Sequence, residues 1–114
     1  MKTIRVANFT QSPGGRFVSD GAFSGEWFRQ DVLMPALLDA VAQSDAVSVE
    51  FDGTSGYGSS FLEEAFGGLV RLRLFDAKTL RKHLQLKSGS PLYDPYRALA
   101  EKYIETARPQ VVAA

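Results

Sequence analysis

The residues best suited to chemistry lie in one stretch. Residues 52–68 read DGTSGYGSSFLEEAFGG, a glycine-rich turn leading into a run with helical spacing. A turn of this kind at a helix start exposes backbone N–H groups that can hold an anion, and Gly56, Gly58 and Ser59 would form that cradle. Three cofactor signatures are not met. A P-loop requires a lysine after its last glycine, and none follows Gly58. A dinucleotide fingerprint opened by Gly56 and Gly58 would need glycine where Phe61 stands. No serine here has glycine at both −2 and +2, as a nucleophile elbow demands. Glu63 and Glu64 are paired in sequence, but neighbours on a helix diverge by about 100°, so a shared acid–base site is not expected.

The rest of the chain adds little catalytic material. It has no cysteine and one histidine, which excludes thiolate metal sites, Cys nucleophiles and a His-pair metal site within one copy. A hydrolytic triad would have to be built on His83, for which the sequence places no partner. It is read as a surface or loop histidine. The 13 basic and 13 acidic residues balance, so the bulk attraction that drives phosphate-backbone binding is missing and nucleic acid is not the expected partner. The basic stretch Arg71, Arg73, Lys78, Arg81, Lys82 and Lys87 reads as a solvated face. The expectation is a non-enzymatic chain with no metal and no cofactor. The N-terminus shows no secretory apolar region and no run approaches the ~18 residues of a membrane span, so a cytoplasmic location and no membrane contact are expected.

The elements that must position the 52–68 stretch follow from periodicity. Residues 3–9 alternate as a strand, Ser12-Pro13-Gly14-Gly15 is a turn, and residues 16–19 read as a second strand completing an antiparallel hairpin. Ser24 caps a helix running to about Ala42, with Phe28 in the core, Trp27 in the core or at an interface, and a kink or split near Leu33 caused by Pro35. Residues 46–51 form the clearest strand. A helix follows from Ser59 or Ser60 to about Arg73, then a short helical turn over 76–81, a strand at 84–87, and a helix from about Pro95 to Ala107 with a loose tail over 107–114. The fold class is α/β: one domain over residues 1–114, a mixed sheet of about four strands with helices packed on it.

On the 59–73 helix, Phe61, Leu62, Ala65, Phe66, Leu69 and Val70 share the core half of the wheel, and Ser60, Glu63, Glu64, Gly67, Gly68 and Arg71 the other. Two glycines on an outward face cost about 1 kcal/mol each, which a docking surface justifies better than open solvent. The sequence thus nominates Tyr57, Ser59, Glu64, Gly67, Gly68 and Arg71 as a partner-binding face. Ser60 with Glu63 fits a capping box, which leaves Ser59 without a structural task.

The run GSSFLEEAFGG, with residues 12–16 and 20–28 before it, resembles the STAS-like domain family of bacterial small proteins, and more widely the STAS domain of anti-sigma-factor antagonists. The resemblance covers about residues 3–107. It implies a regulatory module that binds a partner protein, a GHKL-type ATPase or kinase, and is switched by phosphorylation of Ser59, with Ser60 the alternative. Gly58 and Phe61 stand where the antagonists usually carry Asp and Gly. The alternative from the residues themselves is a small-ligand or nucleotide sensor holding an anion at Gly56, Gly58 and Ser59.

Overall fold

The computed structural model describes residues 1–111. β1 (Lys2–Arg5) is the first of three strands, followed by a single helical turn, α1 (Val6–Phe9). The chain then crosses a long loop containing a 3₁₀ turn, Val18–Asp20, and enters a continuous helix, α2 (residues 25–42). β2 (Val47–Glu50) leads through the glycine-rich turn into α3 (residues 59–71). α4 (Ala77–His83), β3 (Leu84–Lys87) and α5 (Asp94–Thr106) complete the order.

The strands form a parallel sheet in the order β1-β2-β3, with Ile4 opposite Val49 and Val49 opposite Leu86. Residues 16–19 do not form a strand, and the hairpin expected from sequence is absent. The Gly15 and Arg16 carbonyls instead accept the N–H groups of Gly25 and Glu26 at 2.9 and 3.0 Å, capping α2. A helix start carries unpaired N–H groups that must find acceptors, and this short segment supplies two. Among the described residues the sheet is therefore parallel rather than mixed, with three strands rather than about four.

Ile4, Val47, Val49 and Leu84 are buried beneath the helices. The opposite rows, Thr3–Ser48–Gln85 and Arg5–Glu50–Lys87, are polar, and Arg5 pairs with Glu50 at 3.1 Å. The core joins that apolar sheet face to Phe28, Leu33 and Leu37 of α2, Phe61, Leu62, Phe66 and Leu69 of α3, and Ala100 and Ile104 of α5.

The two helices α2 and α3 change register midway. Phe28–Leu33 in α2 and Glu63–Gly67 in α3 are π-helical. In α2 the α register resumes at Met34, so the missing Pro35 N–H and the ring are accommodated by the wider turn before them. The expected disruption near Leu33 is thus a change of register within one helix. α3 runs through Gly67 and Gly68 to Arg71, as periodicity indicated. Arg73, at φ 61°, then reverses the chain in a conformation more usual for glycine.

His83 is buried, not exposed, with Nδ1 2.6 Å from the Asp45 carbonyl oxygen, tying the end of α4 to the turn before β2. The segment after α5 is not loose through Gln110, whose N–H donates to the Arg71 carbonyl at 2.8 Å. The remainder of the expected tail, residues 112–114, lies outside the described residues.

Candidate functional site

The glycine-rich turn is built against the 10–16 loop. Ser55 N–H donates to the Gln11 carbonyl and Gly58 N–H to the Pro13 carbonyl, each at 2.8 Å. A Cβ on Gly58 would lie 2.8 Å from the Gly14 carbonyl oxygen, so only glycine allows the two loops to touch there. Gly56 has φ 123° and lies under the Tyr96 hydroxyl. Tyr93 donates its hydroxyl to the Thr54 carbonyl at 2.5 Å, and Tyr57 donates its own to the Phe51 carbonyl at 2.7 Å.

Tyr57 is therefore a half-buried brace among Phe51, Phe61 and Tyr96 rather than an exposed anchor. Burial pushes its phenol well above the ordinary range. The anion cradle is also largely committed, because Gly58 N–H is bonded to Pro13 and Gly56 N–H points at Thr54 Oγ1, 3.3 Å away.

Ser59 is exposed and is the first residue of α3, with Gly58 in the N-cap position. Ser60 therefore lies one residue inside the helix, and the capping box expected from Ser60 and Glu63 does not form. Glu63 turns instead towards two arginines.

These belong to a cluster of five charged side chains that sequence reasoning did not assemble. Glu64 is 2% exposed. It accepts from Arg29 at 2.5 Å, from Arg71 at 3.0 Å and from Arg16 at 3.2 Å. Glu63 accepts from Arg16 at 2.5 Å and from Arg71 at 3.3 Å. Burial alone would raise the Glu64 pKa, but the Arg29 hydrogen bond, the Arg71 and Arg29 charges and the Arg16 hydrogen bond outweigh it and hold the carboxyl below its usual range. The hydrogen bond to Glu63 likewise raises the Arg16 guanidinium pKa against the effect of burial.

Arg29 also donates to the Glu64 backbone carbonyl at 2.7 Å, while its Nε is buried without a partner among the described residues. A side chain inserted beside the helical hydrogen-bond ladder is a known cause of the wide turn seen over Glu63–Gly67. The glycines explain how the helices come close enough for this. A Cβ on Gly25 would sit 2.6 Å from the Phe61 carbonyl oxygen, and one on Gly68 2.6 Å from Arg29 Nη1. On the other side, a Cβ on Gly67 would stand 3.4 Å from Tyr103 Cβ in α5.

Of the six nominated partner-binding residues, Glu64, Gly67 and Gly68 are thus internal and Tyr57 and Arg71 are half-buried, leaving Ser59 exposed. The paired glycines do mark a close approach, but by side chains of this chain rather than by a second backbone: Glu63 and Tyr103 at Gly67, and Arg29 at Gly68. The basic stretch does not form one face either. Arg71 belongs to the buried cluster and Arg81 pairs with Glu105 at 3.0 Å.

A group of exposed apolar side chains lies elsewhere, on the loop before α2. Phe17, Val18 and Phe23 are 44%, 53% and 45% exposed. Phe23 stacks on Trp27 at 4.9 Å while its backbone holds φ 58°, an unusual state for a bulky residue. Arg16 lies over the Phe17 ring at 5.9 Å. The sequence marked Phe17 and Val18 as part of a strand at 16–19, and reading that strand hid the exposed apolar surface that this segment forms as a loop.

Fold and site define a small α/β domain on a parallel sheet, with an exposed serine opening its most buried helix. Within that class, the chain belongs to the family described as a STAS-like domain of unknown function, whose profile matches residues 24–94. The match takes in α2, β2, α3, α4 and β3, and therefore both π-helical segments. No curated protein and no solved structure matches the chain. Among the described residues, no helix is long and apolar enough to cross a membrane.

Proposed function

We propose that this chain is a non-enzymatic regulatory module that binds a partner protein through the turn opening α3, and that phosphorylation of Ser59 weakens that binding. The observation that carries the reading is the contrast at the start of α3. Ser59 is exposed, while Phe61, Leu62 and residues 64–70 are buried. A modification there reaches the surface without displacing the core.

The partner fitting the antagonist resemblance is a GHKL-type ATPase acting as kinase. The Ser59 hydroxyl oxygen would attack the γ-phosphorus of a nucleoside triphosphate held by that partner. The new O–P bond forms as the bond to the bridging oxygen breaks. The nucleoside diphosphate leaves, and the hydroxyl proton passes to a base on the partner. The product carries about −1.5 to −2 charges, which are costly to desolvate in a close-packed interface.

The sensor alternative is less well supported, because it needs free N–H groups and those of Gly56 and Gly58 are directed within the chain. Ser60 is a weaker candidate than Ser59 because it is only partly exposed. Incubation with a GHKL-type ATPase from the same cell and ATP, followed by intact-mass measurement, tests the proposal. One phosphate adduct that disappears in Ser59→Ala supports it. No adduct, or an adduct that persists in Ser59→Ala, overturns it.

A further inference from the structure

We propose that Arg16 is the intramolecular receptor for a phosphate on Ser59, leaving Glu63 to bind it and so shifting the exposed Phe17–Phe23 loop. The inference rests on the preceding reading for the presence of the phosphate, and names how the modification would be transmitted.

Ser59 and Glu63 are four residues apart in α3, so their side chains share a face with Cβ atoms about 5–6 Å apart. Arg16 Nη1 already stands 2.5 Å from Glu63 Oε1, with the side chain 30% exposed. The backbone leading to it passes the opening of α3, since Gly58 bonds to Pro13 and lies against Gly14. Arg16 is therefore anchored beside the opening of α3, and its guanidinium, which rests on a Glu63 carboxylate turned towards Gly67 and Arg71, has an open side from which to swing back along the helix to the modified oxygen.

The other arginines are less free. Arg29 is buried and bonded to both the Glu64 carboxylate and the Glu64 carbonyl. Arg71 lies twelve positions beyond Ser59, three turns further along the helix. If Arg16 leaves, Glu64 keeps Arg29 and Arg71, and Glu63 keeps Arg71, so no buried carboxylate is stranded. A phosphate offers a guanidinium more acceptor oxygens and more charge than a carboxylate, and its repulsion of Glu63 acts in the same direction.

The consequence lies next in the chain. Arg16 precedes Phe17 and covers its ring, and Val18 N–H is held by Glu26 at 2.9 Å. Moving the guanidinium uncovers Phe17 and pulls on a loop whose Phe17, Val18 and Phe23 are already exposed. Charge on Ser59 would in this way alter an apolar surface formed by a different segment.

The test installs phosphoserine at position 59 during translation, so that no kinase is required. Phosphorus NMR then follows the second protonation of the phosphate, ordinarily near pH 6, in the parent, Arg16→Gln and Glu63→Gln proteins. Of the charged cluster, Arg16 and Glu63 come nearest the phosphate along the chain and the helix, with Glu64 and Arg71 further along α3. The expected result is a phosphate in the parent that binds its second proton about tenfold more weakly than in Arg16→Gln, and more weakly again in Glu63→Gln. The Phe17 and Val18 amide resonances should move on phosphorylation in the parent and stay in place in Arg16→Gln. Equal protonation in parent and Arg16→Gln, or unmoved Phe17 and Val18 resonances in the parent, overturns the inference. If Arg16→Gln does not fold, Glu63→Gln decides alone, and an unchanged phosphate there overturns it. Arg16 dependence in a protein that no GHKL-type ATPase modifies would leave this inference standing and remove only the preceding reading.

Discussion

The two ends of one stretch of α3 make an instructive pair. At its first residue, Ser59 is in solvent and the turn before it rests on a loop. One to two turns later, Glu64, Gly67 and Gly68 are enclosed, with α2 on one side and α5 on the other. By wheel position, Ser60, Glu63, Glu64, Gly67, Gly68 and Arg71 all belong to one polar half. The difference arises because the glycines let Arg29 cross to Glu64, and the resulting charge cluster makes a polar face fit for burial. Glycine and carboxylate on a helix face thus mark a close helix crossing as readily as an external surface.

The comparison breaks most sharply at the cluster. Glu64→Ala removes the main acceptor for a buried arginine and leaves Arg29 without its ion pair. Stripping one partner from a buried pair costs about 3–5 kcal/mol, so the variant is expected to be largely unfolded or to melt far below the parent in a denaturant or thermal scan. Ser59→Ala, only five residues earlier, is expected to change stability by no more than about 0.5 kcal/mol, as a surface substitution does. Near-equal stabilities would dissolve the contrast.

A smaller loss is expected where the helices touch. Gly25→Ala places a methyl group 2.6 Å from the Phe61 carbonyl oxygen, which is backbone and cannot turn away. Overpacking of this kind costs about 1–3 kcal/mol, readable as a lower urea midpoint. Gly68→Arg belongs instead with the largest losses: it adds a cation against Arg29 and is expected to unfold the protein. An external face would instead have accepted it with the fold intact.

Acid sharpens the same contrast. The Glu64 carboxyl is held below its ordinary range in the folded state, so the unfolded chain binds its proton more readily. The stabilisation is therefore complete above the ordinary carboxylate pKa, about 4.3, and is lost as pH falls through the lower folded-state value. Melting temperatures of the parent should drop over that interval. Glu64→Gln, provided it folds, should lose this part of the slope.

The smallest effect is expected at Ser60. Losing a capping side chain costs about 1 kcal/mol, but Gly58 holds the cap position and no Ser60 side-chain bond caps the helix. Ser60→Ala should melt within about 0.5 kcal/mol of the parent. A full cap-sized loss would restore the capping box that the motif suggested.

Legibility in the sequence followed the range of the interactions. The 84–87 strand, the 47–50 strand and both long helices were readable because each carries its own period. The failure at residues 16–19 was of another kind. Arg16-Phe17-Val18-Ser19 has the composition of a strand, but its neighbouring carbonyls cap α2 and β1 pairs with β2 across a crossover. The exposure of Ser59 was anticipated, but from a capping motif on Ser60 and Glu63 that does not form. The Arg16–Arg29–Arg71–Glu63–Glu64 cluster was not legible, since its members come from three segments and only the tertiary fold brings them together. The glycines recorded a close approach in advance without saying which segment would come near, and at Gly67 and Gly68 it is side chains that do.

Thiol labelling of single-cysteine variants tests most directly whether the surface of α3 ends at its first turn, because the parent chain has no cysteine. Ser59→Cys and Gly67→Cys would each be exposed to a maleimide under native conditions and again in denaturant, with adducts read by mass. The account predicts that Ser59→Cys reacts in the native state almost as fast as in denaturant, while Gly67→Cys reacts only when the protein opens. Rapid native labelling at Gly67→Cys in a folded protein, or protection at Ser59→Cys, would contradict it.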